Sequence, residues 1–151
     1  MNEMFRAWQQ LSDAGLIEGT FSGIVGTAGA LDSVPGQNVP ATKIPNSGYT
    51  IASIGPYSGD SSPTVYNLPF SEGLLAGLRE SGAATYGPIL TAREQYDLDL
   101  KMDDGKPSTG NLVSYKSSVN PTCTTSDVSG SAAYQPTSSG PVCTIFYIIE
   151  Q

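Results

Sequence analysis

Two cysteines, Cys123 and Cys143, bracket nineteen residues of mostly Ser, Thr, Gly, Ala and Pro that carry one charge, Asp127. A segment of this kind has little with which to hold itself in place. Closing a loop of about 20 residues with a cystine stabilises a fold by roughly 3 kcal/mol, so a disulfide is the reading this spacing favours. Two separate buried thiols are the alternative. A disulfide implies an oxidising compartment. Yet no signal peptide precedes the first helix, and the longest apolar run, Ile145-Phe146-Tyr147-Ile148-Ile149, is far short of the ~20 residues of a membrane span. The expectation that reconciles these observations is a native N-terminus upstream of Met1.

At 151 residues the chain has the length of one domain. Its formal charge of −7, with seven scattered Lys and Arg, provides no basic stripe for phosphates, so nucleic acid is not an expected partner. Charged residues make up 14%, against about 25% in ordinary domains, and small polar residues replace them. Histidine is absent, which removes the commonest general base and the commonest zinc ligand. Only carboxylate or lysine chemistry is left, and no enzyme is expected.

Met4, Phe5, Trp8, Leu11 and Ser12 fall on one helical stripe, with Phe5, Trp8 and Leu11 as its core. Gly15 reads as a left-handed C-cap, and Leu16-Ile17 can pack back on the helix end. The helix has a clear stop and no capping start, so residues 1–15 read as the last turns of a longer helix. Residues 18–46, broken by Pro35-Gly36, Pro40 and Pro45, read as an extended connection. Tyr49–Ile54 and Pro63–Leu68 read as strands, joined through a Gly55–Asp60 turn as a hairpin. Phe70–Leu78 reads as a helix, with Ser71 as N-cap and Phe70 stapled to Leu75. Thr91 and Glu94 form a capping-box pattern that opens a second helix running to about Lys101. Leu112–Lys116 and Pro141–Glu150 read as strands. The second is apolar on both faces, which places it inside a sheet. The fold class is α+β, in one domain.

Asp97-Leu98-Asp99-Leu100-Lys101-Met102-Asp103-Asp104-Gly105-Lys106-Pro107-Ser108-Thr109-Gly110 concentrates the acidic residues. With Gly105 as the sixth residue of a calcium loop, three ligand positions fall on Leu100, Met102 and Asp104, so the EF-hand pattern fails. Asp103 and Asp104 are the weak candidates for a cation, a structural calcium at most. Asp97 and Asp99 are expected to point elsewhere, because residues two apart on a helix face apart. A glycosidase-like hydrolase would need two carboxyls opposed across a cleft, and these are neighbours on one turn. The preferred reading is structural: Asp103, Asp104, Gly105, Pro107 and Gly110 shape a turn. Tyrosines such as Tyr49, Tyr57, Tyr66, Tyr86 and Tyr134 fit packing better than ring stacking on sugars. A secreted carbohydrate- or surface-binding module, with calcium as a stabiliser, is the alternative function.

Trp8-Gln9-Gln10-Leu11-Ser12-Asp13-Ala14-Gly15-Leu16-Ile17-Glu18-Gly19 resembles the end of the long helix in type IV pilin-like proteins and type II secretion pseudopilins. The run Asp99-Leu100-Lys101-Met102-Asp103-Asp104-Gly105-Lys106-Pro107, followed two residues later by Gly110, resembles that family's D-x-K-x-D-D-G-x-P-x-x-G turn. Cys123 and Cys143, the latter entering a final apolar strand, resemble its C-terminal cystine region. The family's cleavage site and the apolar helix after it are absent. The resemblance therefore implies that this is the globular part of a longer precursor. It implies a ladle fold, in which the helix remnant packs on an antiparallel sheet beside a disulfide-closed 123–143 loop. It also implies a non-catalytic filament subunit of a type IV pilus or type II secretion system, without cofactor. Its partners would be other pilin or pseudopilin subunits and the assembly machinery. The location would be the periplasm or cell surface, anchored in the inner membrane through the missing helix before assembly.

Overall fold

The computed structural model describes residues 3–54, 66, 71–116 and 120–150. The elements are α1 (Glu3–Asp13), β1 (Ser47–Ile54), β2 (Ser71–Leu78), α2 (Ala92–Met102), β3 (Leu112–Ser114) and β4 (Ile145–Glu150). The four strands form one antiparallel sheet in the order β1-β2-β4-β3, so the chain is α+β with a short N-terminal helix. No helix among the described residues is long and apolar enough to cross a membrane. The chain divides into two compact units, Met1–Ala52 with Leu75–Gly87, and Ser53–Leu74 with Pro88–Gln151.

In the first unit, α1 buries Phe5 completely and leaves Trp8 only 8% exposed, while Leu11 is half-buried. Gly15 takes φ 70°, and the Leu16 N–H donates to the Leu11 carbonyl, as a left-handed cap requires. Leu16 itself is 72% exposed, so the expected packing of its side chain onto the helix end does not occur. Residues 18–46 contain no helix or strand, only turns and isolated bridges such as Pro35 to Val39 and Ala41 to Gly48. They are nonetheless folded closely: Asp32, Ser33, Asn38 and Val39 are buried.

The Phe70–Leu78 helix is a correction, since Ser71–Leu78 form β2. Gly73 and Gly77, residues unfavourable in a helix, have a use in a strand, where a missing side chain lets another group approach closely. A Cβ on Gly73 would stand 2.7 Å from the Tyr147 carbonyl oxygen and would also meet the Phe146 ring. A Cβ on Gly77 would stand 2.7 Å from the Gly87 carbonyl oxygen. Phe70, the Gly55–Asp60 turn and all of the Pro63–Leu68 strand except Tyr66 lie outside the described residues.

In the second unit, Thr91 caps α2 as a capping box. Its Oγ1 accepts from the Glu94 N–H at 3.1 Å, and Glu94 Oε2 accepts from the Thr91 N–H at 2.8 Å. β3 is shorter than Leu112–Lys116 and pairs antiparallel with β4, Val113 opposite Phe146. β4 lies between β2 and β3, as expected of an inner strand. The reason differs from the expected one. Phe146 and Ile148 are buried, but Tyr147 is 37% and Ile149 65% exposed, so only one face is covered. Cys123 and Cys143 form a disulfide with Cα atoms 5.1 Å apart.

Candidate functional site

The acidic turn is the junction at which α2 ends and β3 begins, and its carboxylates serve backbone groups that neither element can satisfy. Asp103 is the C-cap of α2, and its own N–H still donates to the Asp99 carbonyl at 2.6 Å. Its Oδ2 accepts from the N–H of Asn111 and, at 2.9 Å, from that of Leu112, the first residue of β3. Asp104 Oδ1 accepts from the Lys106 N–H at 2.9 Å, an Asx-type turn, and its Oδ2 accepts from Thr109 Oγ1 at 2.5 Å. Gly105 and Gly110 take φ of 74° and 75°, the left-handed region that favours glycine. A Cβ on Gly110 would overlap the Asp103 carboxylate. Pro107 is buried, and its carbonyl accepts from the Ser114 N–H at 2.9 Å.

Asp99 is the third member, contrary to the expectation that it points elsewhere. It precedes Asp103 by one helical turn, and residues four apart share a face. Asp99, Asp103 and Asp104 each place an oxygen within 4.8 Å of the others, whereas Asp97 pairs with Arg93 at 3.0 Å. Asp99 is fully buried. Its Oδ2 accepts from the Tyr134 hydroxyl at 2.7 Å and its Oδ1 from the Gly105 N–H at 3.1 Å. A calcium ion takes six to eight oxygens. The carboxylates of this cluster already accept N–H and O–H donors from the chain, and hydrogen-bonded acids of this kind are what a turn needs.

Tyr134 carries the turn into the disulfide loop. Its ring packs with Ala92, Cys123 and Cys143 in one buried cluster and meets Tyr96 edge-on, with centroids 6.0 Å apart. Ser108 adds a second tie, its Oγ donating to the Ser129 carbonyl at 2.6 Å. The loop is therefore held by a covalent bond at its ends and by hydrogen bonds along its length, those of Tyr134 and Ser108 among them. Of the tyrosines considered for sugar stacking, Tyr66 and Tyr134 are buried, Tyr49 and Tyr86 half-buried, and Tyr57 lies outside the described residues. Tyr66 donates its hydroxyl to Thr124 Oγ1 at 2.8 Å, and Lys116 Nζ lies 5.8 Å from its ring centroid.

Burial raises the Asp99 carboxyl to a pKa of about 6, against the opposing pull of the Tyr134 and Gly105 hydrogen bonds. The native state thus holds a proton more tightly than the unfolded chain, so stability falls as pH rises through about 6. Asp32 and Glu94 shift the other way, held down mainly by N–H donors from Ala28 and Thr91 respectively, and they act below the ordinary carboxylate range. Between pH 5 and 7.5 the Asp99 effect is therefore separable. Urea unfolding should find the protein more stable at pH 5 by about 1 kcal/mol, and Asp99→Asn should remove that slope. An unaltered slope in the variant would assign the proton to another group.

Sequence reasoning missed Asp32 and Asn38. Asp32, fully buried, accepts from the Ala28 N–H at 3.0 Å, the Gly82 N–H at 3.1 Å and Arg79 Nη2 at 3.1 Å. Asn38 donates to the carbonyls of Ile24 and Asp32 and accepts from the Val34 N–H at 2.7 Å. A signal was there to read: Asp32 is the only charge between Glu18 and Lys43.

No family model, curated protein or solved structure matches this chain.

Proposed function

We propose that this chain is the globular part of a structural filament subunit of the type IV pilin or type II secretion pseudopilin kind, and not an enzyme. The observation that carries the reading is the acidic turn. The run that resembles the family's D-x-K-x-D-D-G-x-P-x-x-G motif uses its Asp103 and Asp104 carboxylates to hold a helix-to-strand junction. They hold it as structure and are not left open as reagents. The α+β architecture, the amphipathic α1 and the C-terminal disulfide loop are in keeping with a ladle fold. In this reading the subunit passes from the inner membrane to a periplasmic or surface filament. Its partners are other subunits and the assembly machinery, and it needs no cofactor.

The test is the gene product upstream of Met1. A short basic leader followed by about 20 apolar residues is expected, with cleavage by a prepilin peptidase and recovery of the chain in sheared filaments. A native reading frame that opens at Met1 with neither segment would end the proposal.

A further inference from the structure

Between Asp32 and Asp60 the sequence contains no acidic residue and one cation, Lys43, in a chain that carries 14 acids against seven bases. The first unit folds residues 34–47 of this stretch beside Arg79 around a surface cavity of about 290 Å³. Among the described residues its lining includes Lys43, Ile44, Thr42, Ser47 and Arg79, with two cations and no acid. Its wall is tightly built. Thr42 Oγ1 accepts from the Ile44 N–H at 2.9 Å, Ser47 Oγ donates to the Ile44 carbonyl at 2.7 Å, and the two hydroxyls bond each other. Asn46 takes φ 58°, and its carbonyl accepts from the Arg79 N–H at 2.9 Å. Internal bonds thus fix the loop while Lys43 and Ile44 stay exposed.

The charges are unequally used. Arg79 gives Nη2 to Asp32, and its buried Nε has no hydrogen-bond partner among the described residues. Lys43 has no ion-pair partner among them. Three of the other cations stand among acids: Arg93 pairs with Asp97, and Lys101 and Lys106 lie in the run that holds Asp99, Asp103 and Asp104. Copies of so acidic a chain repel one another unless a local positive site meets a carboxylate.

The geometry points to the Lys43–Arg79 cavity as a docking site for a carboxylate side chain presented by a second copy of this chain, with Ile44 as its apolar neighbour. The inference rests on the filament reading, because it takes a like subunit as the partner. Equal amounts of ¹⁴N- and ¹⁵N-labelled protein at high concentration, treated with a zero-length carbodiimide, test it. That reagent joins an amine to a carboxylate only where the two already touch.

Peptides joining Lys43 of one isotope to an Asp or Glu of the other are expected, with a yield that falls in high salt. Lys43→Glu should weaken self-association by about two- to five-fold, the range of an exposed ion pair. Mixed-isotope peptides through Lys101 or Lys106 but never Lys43 would overturn this site and leave the filament reading standing. Lys43 joined only within one copy, or no mixed-isotope peptides at all, would also overturn it. Mixed Lys43 peptides in a protein whose gene lacks the leader would keep the interface and discard the filament. Phosphate or acetate that protects Lys43 without any mixed product would identify a small-anion site instead, and the subunit contact would fall.

Discussion

Asp32→Ala is expected to destabilise the first unit by about 3 kcal/mol, because it removes one partner of a buried charge pair and orphans two backbone donors. Asp32 is fully buried, and three segments converge on it: Ala28 from its own loop, Gly82 from the turn after β2, and Arg79 from just past the strand. Arg79 is 33% exposed on its side chain, so it recovers part of its hydration when the carboxylate goes. This places the loss at the lower end for broken buried pairs. Asp32→Asn keeps a carbonyl oxygen for one of the two N–H donors and should cost less than the alanine. The pH dependence gives an independent check. The carboxyl is held below its ordinary range, chiefly by the Ala28 N–H, so its contribution is present above about pH 4 and lost as pH falls below. Asp32→Ala should flatten the acid side of the stability profile. Urea unfolding at pH 7 within 1 kcal/mol of the parent would show that the pair is not what holds these loops.

What the sequence made legible divides along a physical line. Periodic and local signals survived folding. The Phe5–Trp8 stripe is buried, the Thr91–Glu94 box caps α2, and Gly15 takes a positive φ where a helix ends. These depend on residues within a few positions of each other. Ser71–Leu78 were misread because their strand pairing is long-range: nothing near Gly73 announces that the Phe146 ring and the Tyr147 carbonyl occupy the space its side chain would need. Non-local pairing overrides a weak local preference for helix. Asp32 and Asn38 escaped for the same reason, since their partners Gly82, Arg79 and Ile24 are 14 to 50 residues away. Asp99 is an intermediate case. Its helical relation to Asp103 was readable from a four-residue spacing, but its hydroxyl partner, Tyr134, lies 35 residues on in the disulfide loop.

The disulfide sets the second large effect. Cys123→Ser should lower stability by about 3 kcal/mol, the loop-closure value for a separation of 20 residues, or by about 6–12 °C in melting temperature. Both half-cystines are fully buried in the cluster that holds Tyr134 and Ala92, so the lost covalent tie is not replaced by solvent contact. The loop is not held by the cystine alone, however. Tyr134 still donates to Asp99, and Ser108 still reaches Ser129. Cys143 O also accepts from the Ile89 N–H at 2.8 Å, which anchors the start of the final strand without using the sulfur. Removing the bond should therefore raise amide exchange most between residues 123 and 143, while the β3–β4 pairs stay protected. Tyr134→Phe in the Cys123→Ser background should release the loop further, because the last side-chain contact to the buried acid is then gone. Two free thiols in the unreduced native protein, or a melting temperature unmoved by Cys123→Ser, would mean that packing around Tyr134 and not the covalent tie fixes this loop.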